Sequence, residues 1–329
     1  MKKIDTNHIL KQVARFWCHE LMIKTNCKNS SQLEKVLDDI FDSPSERSSN
    51  IYYKYWMALR SPRPDIIARC EKKIRDSAWL MNNLLWTVIN LESLDNNLAR
   101  LFLSQLDTRY LNNVGKDWYR STNLYRDSFT DKILRLTTLD SLAVLVILVK
   151  LAHQNGDQIN EVRIAKQLYR GLLIIGAQFT EKNFILESFF SLFDEFLFKR
   201  INWGDRKPIM DFPFYRFGVR YLNSLYPIKE NLGLTLVDKT DKQYILDRCH
   251  CLLPGLLNLR NLANIESLNF MLMPKDIEYR KLSDYDNLDD HIGVWVTDLT
   301  AMNYPFEDNS MSYYRNRYLH AKFLDLYFS

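Results

Sequence analysis

Apolar residues recur along this chain with a helical period. In HILKQVARFWCHEL, Ile9, Val13, Phe16, Trp17 and Leu21 fall at i, i+4, i+7, i+8 and i+12, one stripe that predicts an amphipathic helix. SSQLEKVLDDIF opens with Ser31 and Glu34 in capping-box spacing and continues with Leu33, Val36, Leu37 and Ile40, predicting a second. The same periodicity predicts helices near 65–75, 79–92, 94–106, 128–154, 160–177, 180–200, 213–224, 241–250, 254–271 and 311–327. Three stretches interrupt it. DSPSERSSN (42–50) is polar, INWGDRKPIMDFP (201–213) carries Gly and Pro, and YPIKENLGLTLVDKTDK (226–242) holds one short strand, Leu232 to Val237, as an arm of a small hairpin. The expectation is an all-α, multi-helix bundle of two or three packed helical units, with at most one small β-hairpin near 230–246. The units are an N-terminal one over 1–127, a central helical hairpin over 128–202 and a C-terminal one over 203–329. No repeat of fixed period is visible.

Composition supports the helical reading. Nine glycines and nine prolines in 329 residues leave turn chemistry scarce. Aromatic residues make up 13%, which excludes a disordered chain. The start MKKIDTNHILKQVARFW has no apolar core of a signal peptide, and the best apolar run, Leu142 to Val149, is stopped by Lys150 well short of a membrane span. Five cysteines, an odd number, read as reduced thiols. Together these predict a cytoplasmic protein with no membrane association, expected to be bacterial.

The net charge is +4, and its placement matters more than its size. Between Ser45 and Asp76 stand eight basic residues against four acidic ones, so this segment carries the whole excess. Within it, NIYYKYWMALRSPRPDIIARCEKKIR interleaves Tyr52, Tyr53, Tyr55 and Trp56 with Lys54, Arg60, Arg63, Arg69, Lys72 and Lys73. As a helix over 50–60, Ile51, Tyr55 and Leu59 lie on one side, flanked by Tyr52 and Trp56, while Tyr53, Lys54, Met57 and Arg60 face the other. Pro62 and Pro64 end it, and Pro64 with Asp65 suits the first turn of a new helix.

The aromatic helix, the joint ALRSPRP and the following DIIARCEKKI, preceded by SSQLEKVLDDIF, resemble a helix-turn-helix segment of the lambda-repressor kind over residues 31–75. Ala58 stands where such joints often carry Gly. The resemblance implies that the helix at 50–60 enters a major groove, with Lys54, Arg60 and Arg63 near phosphates or base edges. Arg69, Lys72 and Lys73 extend the nucleic-acid-binding set. The plainer alternative is a helical hairpin with core aromatics and solvated arginines. Basic side chains among aromatics suit DNA and RNA equally.

Near the C-terminus, YYRNRYLHAKF holds Arg315, Asn316 and His320 as R-N-x-x-x-H. This resembles the active-site motif of HEPN-type ribonucleases, which implies metal-independent RNA cleavage, usually in a dimer. His320 would take the proton of a ribose 2′-OH, Asn316 would orient the imidazole and Arg315 would stabilise charge on phosphorus. The alternative is a C-terminal helix docked through Tyr314, Tyr318, Leu319, Phe323 and Leu326. Cys249, His250 and Cys251, or Cys18 and His19, are adjacent in sequence and cannot converge on a tetrahedral zinc, so no metal and no cofactor is expected. No Walker A, G-x-G-x-x-G, G-x-S-x-G or H-E-x-x-H pattern occurs. The leading expectation is a nucleic-acid-binding regulatory or accessory protein, compatible with phage defence or a mobile element. A HEPN-like ribonuclease and a helical protein-interaction scaffold are the alternatives, and a protein partner or homodimer fits either.

Overall fold

The computed structural model describes residues 6–38, 50–106, 124–136, 138–177, 183–204, 206–209, 212, 215–216, 218–219 and 271–274. Within them the protein is an all-α multi-helix bundle.

Helix α1 spans Thr6–Lys24 and buries its whole apolar stripe, Ile9, Val13, Phe16, Trp17 and Leu21. It ends in a Schellman turn. Asn26 takes a φ of 55°, and the Cys27 and Asn26 amides donate back to the Met22 and Ile23 carbonyls. Helix α2 spans Ser30–Val36 and is capped by Asn29, whose side chain accepts from the Gln32 amide at 3.0 Å. The capping pair is therefore Asn29 and Gln32, not the Ser31 and Glu34 of the sequence expectation; Gln32 also accepts from the Lys28 amide at 2.7 Å. Leu33 and Leu37 are buried, while Val36, expected on the same stripe, is 43% exposed. Ile40 lies outside the described residues.

Short helices follow: α3 (Ile51–Trp56), α4 (Pro64–Lys73), α5 (Ala78–Met81), α6 (Leu84–Asn90) and α7 (Asn96–Gln105). The expected helix over 79–92 divides because Asn83 leaves helical conformation and its side chain caps α6, accepting from the Leu85 amide at 3.0 Å. The long helix expected over 128–154 also divides, into α8 (Asp127–Leu136) and α9 (Leu139–Gln154). Thr138 starts α9 in a capping box with Ser141, each side chain bonding the other residue's amide, which fixes the boundary. Helices α10 (Gln158–Gly176) and α11 (Asn183–Phe196) follow, then a 3-10 turn over Phe198–Arg200.

Helix α9 is the centre of the fold. Leu139 to Ala152 are all buried, as expected of a helix apolar on every side. It packs against α6, α7, α8 and α10, while α1 packs against α3, α5, α6 and α11. Helix α11 touches both α6 and α10, and the buried side chains form one connected core from Ile9 to Val219. Close approach of α10 to its neighbours depends on two glycines. A Cβ on Gly171 would sit 2.8 Å from Leu142, and one on Gly176 would collide with the hydroxyl of fully buried Tyr215. That hydroxyl donates to the Leu172 carbonyl at 2.7 Å, so it cannot withdraw freely.

Several polar groups buried in this core are satisfied by partners on other elements. Asn83 donates to Asp140 at 2.9 Å. Glu161 pairs with His153 at 2.8 Å across the α9–α10 turn and accepts the Asn202 amide. Lys150 donates to the Ile89 and Leu91 carbonyls at the end of α6.

Strands are confined, among the described residues, to an antiparallel pair, β1 (Arg206–Ile209) and β2 (Met271–Pro274), in which Arg206 faces Pro274 and Ile209 faces Met271. This differs from the sequence expectation. Residues 206–209 fall in a stretch read as irregular and 271 ends a stretch read as helix; a pairing between segments so far apart leaves no local turn signal. The hairpin expected near 230–246 lies outside the described residues.

Candidate nucleic-acid interface

The basic segment folds as α3, a joint over residues 57–63, and α4. Helix α3 buries Ile51, Tyr52 and Tyr55 against α1, with the Tyr55 ring edge-on to Trp17 at 5.9 Å. It is shorter than the expected helix over 50–60. Ala58 adopts φ 55°, its amide and that of Leu59 donate to the Tyr55 and Lys54 carbonyls, and the helix closes in a Schellman turn. The turn redirects Leu59, which is 63% exposed and does not hold the helix to the body as its spacing had suggested. Arg15 of α1 holds this end, donating to the Trp56 and Met57 carbonyls at 3.0 and 3.1 Å and also to Ser188 of α11. Burial lowers the pKa of Arg15, and Glu187 opposes that shift.

Helix α4 starts as anticipated, with Pro64 at its first position and Asp65 in its first turn. It buries Ile66, Ile67 and Cys70. Burial raises the Cys70 thiol to about 11, with the Tyr52 hydroxyl 3.9 Å from its sulfur. At the far end Glu71 accepts from the Asp76 and Ala78 amides at 2.8 and 2.6 Å and so caps α5; burial raises its pKa, but these bonds outweigh that and lower it overall.

The six basic residues singled out from sequence divide into distinct groups. Arg63 pairs with Asp65 at 3.0 Å, and Arg69, half-buried, approaches the same carboxylate at 3.8 Å. Lys73 donates to the Val36 carbonyl at 2.6 Å and so binds the C-terminal end of α2. Lys54 is half-buried and engaged. Arg60 and Lys72 are exposed and make no hydrogen bond or ion pair to a described residue. Burial pushes the pKa of the Tyr55 hydroxyl up to about 12, and the Arg60 and Arg63 charges oppose that shift. Over residues 50–76 there are seven basic side chains to three acidic ones, so the segment keeps a positive excess even after the Asp65 pairings.

Beside these charges lie exposed apolar side chains: Tyr53 at 49%, Met57 at 41% and Leu59 at 63%. The sequence pattern places Tyr53 and Met57 outward correctly; the exposure of Leu59 follows from the backbone at Ala58, which spacing does not encode.

The other sequence candidates fare differently. Arg315, Asn316 and His320, and the Cys249, His250, Cys251 run, lie outside the described residues. Cys18 is fully buried and donates to the Tyr52 carbonyl at 3.4 Å, while His19 stacks on Trp56. Among the described residues no group of three or more His, Cys, Asp or Glu side chains is placed to hold a metal ion, and no helix is long and apolar enough to cross a membrane. A cleft of about 210 Å³ that sequence reasoning did not anticipate opens between α1 and α11, lined by His8, Gln12, Arg15, Glu187, Ser191 and Glu195 among others. It joins residues far apart in sequence, so no local motif announces it.

The fold and this surface define a helical bundle with one locally basic, partly apolar face. Comparison with protein-family models, curated proteins and solved structures yields no match for the chain.

Proposed function

We propose that this protein binds nucleic acid through the face built by α3, the 57–63 joint and α4, as a regulatory or accessory factor. One observation carries the reading: the chain's whole positive excess lies in this segment, and its outward positions combine exposed Arg60 and Arg63 with exposed Tyr53. Guanidinium groups neutralise phosphates and an exposed aromatic offers a face to a base. The bonds of Arg15 to the end of α3, and those of Glu71 to the start of α5, hold the flanks of the face rigid.

The test is binding as a function of salt. Log affinity should fall linearly with log salt, and Arg60→Ala should lower the slope by about 0.7 to 0.9, the value for one phosphate contact. Arg63→Ala should change it less, because Arg63 is already drawn toward Asp65. Binding that does not respond to salt, or an Arg60→Ala protein indistinguishable from wild type, removes the reading and leaves a solvated charged surface.

A further inference from the structure

Whether this face takes duplex or single-stranded nucleic acid is decided by its shape, and the following rests on the nucleic-acid reading above. A helix that reads a major groove must project from the body and present its base-contacting residues on an outward side. Helix α3 has six residues, about 9 Å of length, and three of them, Ile51, Tyr52 and Tyr55, are spent on the core. Helix α4 is longer, and its exposed positions are Pro64, Asp65, Ala68, Lys72 and Lys73, but Lys73 is drawn onto the Val36 carbonyl and the helix opens with a proline and a carboxylate where a groove-reading helix meets base edges and phosphate. Neither helix is built for a groove.

What the face does present is apolar. Tyr53 and Met57 stand one helical turn apart on the outer side of α3, and the left-handed turn at Ala58 carries Leu59 outward beside Arg60. Such side chains gain little from a duplex, whose base faces are hidden by stacking. They gain much from unstacked bases, which every sequence offers.

We infer that the ligand of this face is a single-stranded nucleic acid, with bases laid on Tyr53, Met57 and Leu59 and the backbone met by Arg60. Fluorescence anisotropy of the full chain with labelled oligo(dT) and oligo(U) of about 12 nucleotides, within the span of such surfaces, against a duplex of equal length, tests it. The single strands should bind at least about tenfold more tightly than the duplex, and the dT and U arms report which sugar is preferred. Tyr53→Ala should weaken single-strand binding by roughly tenfold, the loss of one stacked base, without changing the salt slope, whereas Tyr53→Phe should restore it. Since Tyr53 is half exposed, the helical circular-dichroism signal and the unfolding midpoint of these variants should match wild type. Duplex binding as tight as single-strand binding, or a Tyr53→Ala protein that binds single strands like wild type, overturns this inference and leaves the proposed function standing. Absence of salt-sensitive binding to all three probes at about 50 mM salt overturns both.

Discussion

Replacing Lys150 with Met probes the most unusual charge in the core. Lys150 is 9% exposed, and burial, helped by Arg200, lowers its pKa from 10.5 to about 8. Such a depression corresponds to about 3 kcal/mol of penalty on the charged form. The folded state then binds fewer protons than the unfolded chain between pH 8 and 10.5, so folding stability rises with pH in that window and the penalty persists in full below it. Integrated from pH 7 to 9, the gain from this one group is about 1 kcal/mol. Cys70, raised from 9.0 to about 11, contributes in the opposite sense above pH 9, as do the buried tyrosines above pH 10; they cancel when two proteins differing only at position 150 are compared. Met fills a similar volume, but at pH 7 it leaves the Ile89 and Leu91 carbonyls without their donor, at about 1 to 3 kcal/mol each, which offsets the relief of the buried charge. The two proteins should therefore have similar stability or favour wild type slightly at pH 7, and wild type should gain about 1 kcal/mol on the variant by pH 9. Urea unfolding of both at pH 7, 8 and 9 reads this directly. Parallel pH profiles would show that the two carbonyls hold the ammonium charged through the whole range and that the depressed pKa is wrong.

Four further substitutions test the backbone and packing arguments. Ala58→Gly should stabilise the protein by roughly 1 kcal/mol, because Ala58 pays for a φ of 55° that glycine adopts freely; the urea midpoint should rise with the m-value unchanged. Gly156→Ala, at φ 68° with open space around it, should cost about 1 kcal/mol from conformation alone, whereas Gly176→Ala should cost about 1 to 3 kcal/mol by displacing the Tyr215 hydroxyl from Leu172, and a Tyr215→Phe background should recover part of the second loss only. Thr138→Ala removes the capping box at the start of α9 and should lower stability by about 1 kcal/mol, measured in the same urea series.

The helical class was legible in the sequence because a 3.6-residue period and scarce Gly and Pro act locally: the stripe of α1 is buried residue for residue, and Pro64 with Asp65 begins α4 where their chemistry says it should. The outward positions of Tyr53 and Met57 were legible for the same reason. Where each helix stops was less so. Apolar periodicity runs through Asn83 and Thr138 without a break, and only side-chain caps bonding to specific amides divide the chain there. The exposure of Leu59 needed the left-handed backbone at Ala58, a residue type that rarely adopts it. The sharing of Asp65 by Arg63 and Arg69, the attachment of Lys73 to α2, the burial of Lys150 beneath α6 and the pairing of β1 with β2 all join atoms whose proximity no spacing rule sets. Local propensity acts over one or two turns of chain, whereas which charge stays free to meet a phosphate is decided by what the fold brings against it.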